Sequence, residues 1–241
     1  MTEIKNNSNQ CSTFKMCGYS FGECANSLVM NSINGFAMLY YTEALGLSPS
    51  LAGIAMSLAV FWDALSDPIM GHVSDNTRSR FGRRHPYMLV GGLLMALCFY
   101  FIWAVPETMR GSENTIFWYL VTFNILLRTS LTVFFVPYVA LGFEMCTDYE
   151  GRSKLQGIRW GFNMAANLAG PAMAWFFFFQ DKDGVRATDV PQNFLNMGAV
   201  FAVGTAIFVL LILYFTRTYA KEVNVKNDLE KPAFMKTFLR I

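Results

Sequence analysis

With 241 residues, 54% of them apolar and 15% charged, the chain has too few charged groups for an ordinary soluble domain. Its net charge of +2 comes from short clusters between long apolar stretches, and gives no basis for a nucleic-acid partner. The sequence has no Walker loop, GxGxxG, nucleophile elbow or zinc-type cluster, so neither an enzyme nor a cofactor is expected.

A helix crosses the hydrocarbon of a bilayer with roughly 20 mostly apolar residues. Residues 1–17 are expected to be a cytoplasmic N-terminus, and the polar 1–15 lack the pattern of a cleaved leader. The first span, about 20–44, carries Glu23, Asn26, Ser27, Asn31, Ser32 and Asn34. Ser27, Asn31 and Asn34 share a helical face, as the lining of a polyol cavity would, although polar side chains also join helices within a bundle. Ser48-Pro49-Ser50 opens the second span, 50–74, with a capping hydroxyl and a first-turn proline. Tyr87 to Val105 and Phe194 to Thr216 are spans without a charge. Between them lie spans at 115–143 and 155–179, the latter with Asn163, Asn167 and an expected kink at Gly170-Pro171. Trp103, Trp118 and Trp175 fall near span ends, where interfacial anchors sit. The expected fold is an all-α membrane protein, a six-helix transmembrane bundle over 18–217.

Lys and Arg stay preferentially on the cytoplasmic side. Arg78, Arg80, Arg83 and Arg84 follow the second span, Arg152 and Lys154 follow the fourth, and a basic tail follows Arg217. Only Arg110, Lys182 and Arg186 fall on the other side, so both termini are expected in the cytoplasm and the protein in the cell membrane. The five cysteines show no CxxC, and disulfides are not expected in these compartments. Residues 218–241 are expected to be a cytoplasmic central-loop segment. Phe234 and Phe238 there fall on one side of an incipient amphipathic helix, and Lys236 and Arg240 on another. The pattern stops midway, which suggests half of a longer protein.

A carboxylate in mid-bilayer costs at least about 2.5–3.5 kcal/mol, which makes it a functional candidate. Asp63 and Asp67 lie four residues apart, about 6 Å along the helix and about 40° around it. Two carboxylates so close do not both ionise without a cation or a proton between them. Ser66 adds an oxygen, and Pro68 frees the carbonyl of Ala64. Ion or proton binding competes here with a neutral hydrogen-bonded pair. In the fourth span, Arg128 has Thr132 one turn on. It needs an anion, which is Asp63 or an anionic substrate group.

Gly71-x-x-x-Asp75-x-x-Arg78-x-Arg80-x-Gly82-Arg83-Arg84 resembles the signature loop of the major facilitator superfamily. Trp62-Asp63-Ala-Leu-Ser-Asp67-Pro-Ile-Met-Gly71 resembles, more narrowly, the glycoside–pentoside–hexuronide:cation symporters, the melibiose permease-like family. Tyr40-Tyr-Thr-Glu-Ala-Leu-Gly46 and Pro137-Tyr-Val-Ala-Leu141 match the same family, as do Glu144, Asp148-Tyr149, Arg152 and Arg159. The resemblance implies the N-terminal half of a twelve-helix transporter, with a C-terminal six-helix half as its partner. It implies a cation site at Asp63, Ser66, Asp67 and Thr132, the two aspartates being its charged ligands, and sodium or a proton as coupling ion. The family's sugar-binding carboxylates fall on Ser27 and Phe135, so a galactoside is not implied. Ser27, Asn31, Arg128, Phe135 and Arg159 are the substrate-site candidates. Asp75 with Arg83, extended by Glu144, Asp148 and Arg152, is implied as a cytoplasmic gate, against a solvated loop of little energetic weight.

The expected function is cation-coupled symport of a glycoside, pentoside or hexuronide, with a small-molecule sugar and membrane lipid as partners. A lysolipid-type symporter of the same fold is the first alternative, since Phe134-Phe135 suits a lateral apolar cleft. A truncated, non-transporting membrane subunit is the second.

Overall fold

Backbone in hydrocarbon has no water to bond, so each apolar stretch closes its hydrogen bonds within a helix. The computed structural model describes residues 12–77, 82–181 and 184–238, and of 218–238 the backbone alone. Arg78, Arg80, Lys182 and Arg240 lie outside the described residues, as do the two faces expected for the tail. The helices are α1 (Thr13–Ser32), α2 (Pro49–Asn76), α3 (His85–Trp103), α4 (Glu113–Met145), α5 (Tyr149–Phe177) and α6 (Pro191–Phe238). Two π-helical segments, Ile33–Ala37 and Tyr40–Ala44, prolong α1. Among the described residues, four helices are long and apolar enough to cross a membrane: α2, α3, α4 and the Pro191–Arg217 part of α6.

Several boundaries differ from expectation. Pro49 does occupy the first turn of α2, but the Ser48 hydroxyl makes no capping bond. α1 begins at Thr13, because Met16 and Tyr19 are already buried. α5 begins at Tyr149, because the Asp148 carboxylate accepts from the backbone N–H of Gly151 at 2.7 Å and caps the helix. Lys231-Pro232 lies inside α6, so no new helix starts near Phe234. Trp103 is not an interfacial anchor. It is fully buried, its ring stacked on Phe194 at 6.0 Å and tilted against Tyr40 at 5.5 Å. Gly198 of α6 makes that possible, since any Cβ there would collide with the indole. Trp118 and Trp175, 58% and 49% exposed, do lie on the surface.

α2 packs on α4, α4 on α3, α3 on α6, α6 on α1 and α1 on α5, while α1 and α4 also meet. Exchanging α1, α2 and α3 with α4, α5 and α6 leaves this pattern unchanged, as expected of an internal three-helix repeat. α2 and α5 end the series and bury few residues, whereas α3 and α4 are buried along much of their length. Tyrosines bond the carbonyls in the last turn of α3. Tyr40 Oη donates to Trp103 O at 2.8 Å, Tyr41 Oη to Ile102 O at 2.8 Å and Tyr119 Oη to Phe101 O at 2.7 Å. The Tyr40-Tyr41 pair therefore ties the second π-helical segment to α3.

Gly91 sets the closest approach of α3 to α4, since a Cβ there would lie 2.6 Å from the backbone nitrogen of Phe134. Backbone has no rotamer by which to yield. Gly91→Val is expected to cost about 1–3 kcal/mol or more by overpacking. Thermal unfolding of the detergent-purified protein measures it, with Gly53→Val, which meets open space, as the control.

Candidate functional site

The polar residues of the apolar helices gather in two places. Between α2 and α4, Thr132 Oγ1 donates to Asp67 Oδ1 at 2.7 Å, and Ser66 Oγ lies 3.3 Å from Thr132 Oγ1. Ser66 Oγ is also 3.4 Å from the Asp63 carbonyl. Three of the four expected cation ligands thus meet. The fourth, Asp63, points its Oδ2 at Arg128 Nη1, 2.8 Å away, and its Oδ1 is buried without a hydrogen-bond partner. Of the two anions open to Arg128 from sequence, the carboxylate of Asp63 is the one in contact. Trp62 Nε1 donates to Thr129 Oγ1 at 2.8 Å and ties the two helices together beside this pair.

Between α1 and α5, Arg159 forms a buried ion pair with Glu23, its Nη2 and Nε both directed at Oε1. The guanidinium lies over the Tyr138 and Tyr19 rings, 5.1 and 5.7 Å from their centroids. Tyr19 and Tyr138 stack on each other at 4.5 Å, and Tyr19 Oη donates to the Tyr138 carbonyl at 2.7 Å. Asn163 Nδ2 reaches both Glu23 Oε2 at 3.1 Å and Ser27 Oγ at 2.9 Å, and Asn31 Nδ2 donates to Asn167 Oδ1. A cleft of about 290 Å³ opens here, lined by Glu23, Asn26, Gln156, Arg159 and Asn163 with Phe135 and Trp160 as its apolar walls.

Of the substrate candidates, Phe135 and Arg159 line this cleft, and Ser27 and Asn31 are bonded into its α1–α5 wall. Arg128 is not among the lining residues, because its guanidinium turns to α2. Sequence reasoning gives no role to Glu23 or Gln156, whereas it reads Asn163 and Asn167 as repeating the polar face of the first span. Glu23 carried a usable signal, as a carboxylate within an apolar helix one turn before Ser27.

At the α2–α3 end, Glu144 of α4 accepts from Arg83 and from Arg84, whose Nη2 is 2.8 Å from Oε1. Asp75 pairs with Arg84 at 3.2 Å rather than with Arg83. The reason is placement: the Arg84 side chain is buried at the start of α3, while Arg83 stays partly exposed. Asp148 and Arg152 stand apart from this network. Asp148 is spent on capping α5, and Arg152 Nε donates to the Cys146 carbonyl at 2.9 Å.

A profile of the MFS/sugar transport protein family matches residues 18–239. The chain is 29% identical over 244 aligned residues, 98% of its length, to the uncharacterized symporter YnaJ of Bacillus subtilis, covering 49% of that protein. It is 29% identical to the inner membrane symporter YicJ of Escherichia coli, across 83% of this chain and 42% of the other. Sodium-dependent lysophosphatidylcholine symporter 1-B of Danio rerio is 30% identical across 71% of this chain and 32% of its own. The chain therefore spans about half or less of the length of these relatives.

Proposed function

The chain belongs to the MFS/sugar transport protein family, and from that premise we propose that it forms six transmembrane helices of a cation-coupled symporter for a glycoside, pentoside or hexuronide. All six helices then cross the cytoplasmic membrane with both termini inside, and a second six-helix half completes the translocation path. The outer faces of α2 and α5, with Phe61, Leu65, Ile69, Met164 and Leu168 exposed, suit contact with that half.

The observation that carries the reading is the α2–α4 cluster. One carboxylate, Asp67, accepts from the Thr132 hydroxyl, which Ser66 Oγ approaches in turn, beside a second carboxylate held by an arginine. Such oxygen donors fit a proton or a monovalent cation. A cation there that orders α2 against α4 raises substrate affinity in the adjoining bundle, and substrate raises cation affinity by the same factor. The substrate binds in the α1–α5 cleft, where Glu23, Asn26, Gln156, Arg159 and Asn163 offer the charged and amide groups that hydroxyls need. Arg83, Arg84, Asp75 and Glu144 close the cytoplasmic end and release it when the halves rock apart.

The charged and amide side chains of Glu23, Asn26, Gln156, Arg159 and Asn163 in that cleft support a polyol substrate. The test is uptake by vesicles holding the full-length protein, driven by an imposed proton or sodium gradient. Labelled glycosides, pentosides and hexuronides are compared with lysophosphatidylcholine. Concentrative uptake of one sugar class is the expected outcome, and uptake of the lysolipid with none of the sugars would decide against it.

A further inference from the structure

Arg128 departs from the charge arrangement that two exchangeable-cation carboxylates would have. We propose that Arg128 is a tethered cation filling the Asp63 half of the α2–α4 site, so that the exchangeable ion is a proton on Asp67 and not sodium. This rests on the reading of that cluster as a cation site, and goes beyond it in assigning the ion and the residue that selects it.

A guanidinium does not lose its proton in a protein, so the charge on Arg128 is permanent. It touches Asp63 Oδ2 at 2.8 Å, its side chain is only 12% exposed, and it has no other carboxylate among the described residues. Two carboxylates and one guanidinium leave the cluster one negative charge, which a single monovalent cation neutralises. Sodium exchanges its water for a shell of oxygens. Here that shell must draw on Asp63, whose one oxygen faces Arg128 and whose other, Oδ1, adjoins it on the same carboxylate. A sodium ion bridging both aspartates would sit against a fixed positive charge. A proton needs one Asp67 oxygen alone. When it binds from water, an O–H bond forms on Asp67, and the Thr132 hydroxyl, now donating to Oδ1, turns to accept.

The experiment pairs equilibrium binding of radioactive sodium at pH 8 with pH-induced infrared difference spectra, both on the full chain in detergent. The wild type is expected to bind no sodium saturably and to show on acidification a protonated-carboxyl band that Asp67→Asn removes. Arg128→Ala is expected to gain a saturable sodium site, on the order of 100-fold tighter than any wild-type binding, as the removal of an adjacent charge implies. Adding Asp63→Asn to Arg128→Ala is expected to abolish it. Arg128→Gln, which keeps a polar side chain with two N–H donors but carries no charge, serves if the alanine variant does not elute as a folded monodisperse species. Sodium binding by the wild type as tight as by Arg128→Ala would overturn the assignment to Arg128 and leave the cation site standing. So would folded variants that gain no sodium while the Asp67 band persists. No sodium binding in any variant together with no Asp67 band would remove the cation site itself.

Discussion

Arg159→Met is expected to destabilise the protein by about 3–5 kcal/mol, the cost of leaving a buried charge without its partner. The Arg159 and Glu23 side chains are 9% and 8% exposed, deep between α1 and α5. Without the guanidinium, Glu23 keeps only Asn163 Nδ2 at 3.1 Å and the Tyr138 hydroxyl at 3.4 Å. Two neutral donors do not offset a buried carboxylate. The stacked Tyr19 and Tyr138 rings also lose the cation that lies over them. The double variant Glu23→Gln/Arg159→Met buries no charge, and is expected to recover most of the loss. Unfolding of the purified proteins in detergent, compared as a double-mutant cycle, measures the difference. A single variant no less stable than the double would show that the pair is not an energetic unit.

The positions of the helices were legible because apolar length is a property of each segment alone. Their ends were less so. Asp148 has the residue type of an ion-pair partner and of an N-cap, and what its carboxylate meets is the backbone N–H of Gly151. Trp103 lies near a span end, where tryptophans commonly anchor, yet it is buried because Gly198, on a helix far along the chain, leaves room for its indole. Arg83 and Arg84 are neighbours of one type. Which of them meets Asp75 depends on where α3 begins. The α2–α4 cluster was readable in large part because Asp63, Ser66 and Asp67 share one helix, and the resemblance supplied Thr132. The Glu23–Arg159 pair was not, since it joins α1 to α5 and no local spacing specifies which helices pack.

The second large effect is expected at Asp67. With Asp63 held by Arg128, Asp67 is the carboxylate that meets a neutral hydroxyl, that of Thr132, and an amide there neither binds a proton nor carries the charge that attracts a cation. Asp67→Asn keeps the shape of the side chain and a bond with Thr132, so the fold should survive. Coupling free energies of about 1–3 kcal/mol, roughly 5- to 150-fold in affinity, are typical of linked sites, and this is the factor at stake. The most direct measurement is accumulation of labelled substrate by vesicles holding the full-length Asp67→Asn protein, under an imposed ion gradient, alongside counterflow without one. Loss of uphill accumulation with counterflow retained is the expected result. Accumulation equal to that of the wild type would contradict a coupling role for the α2–α4 cluster.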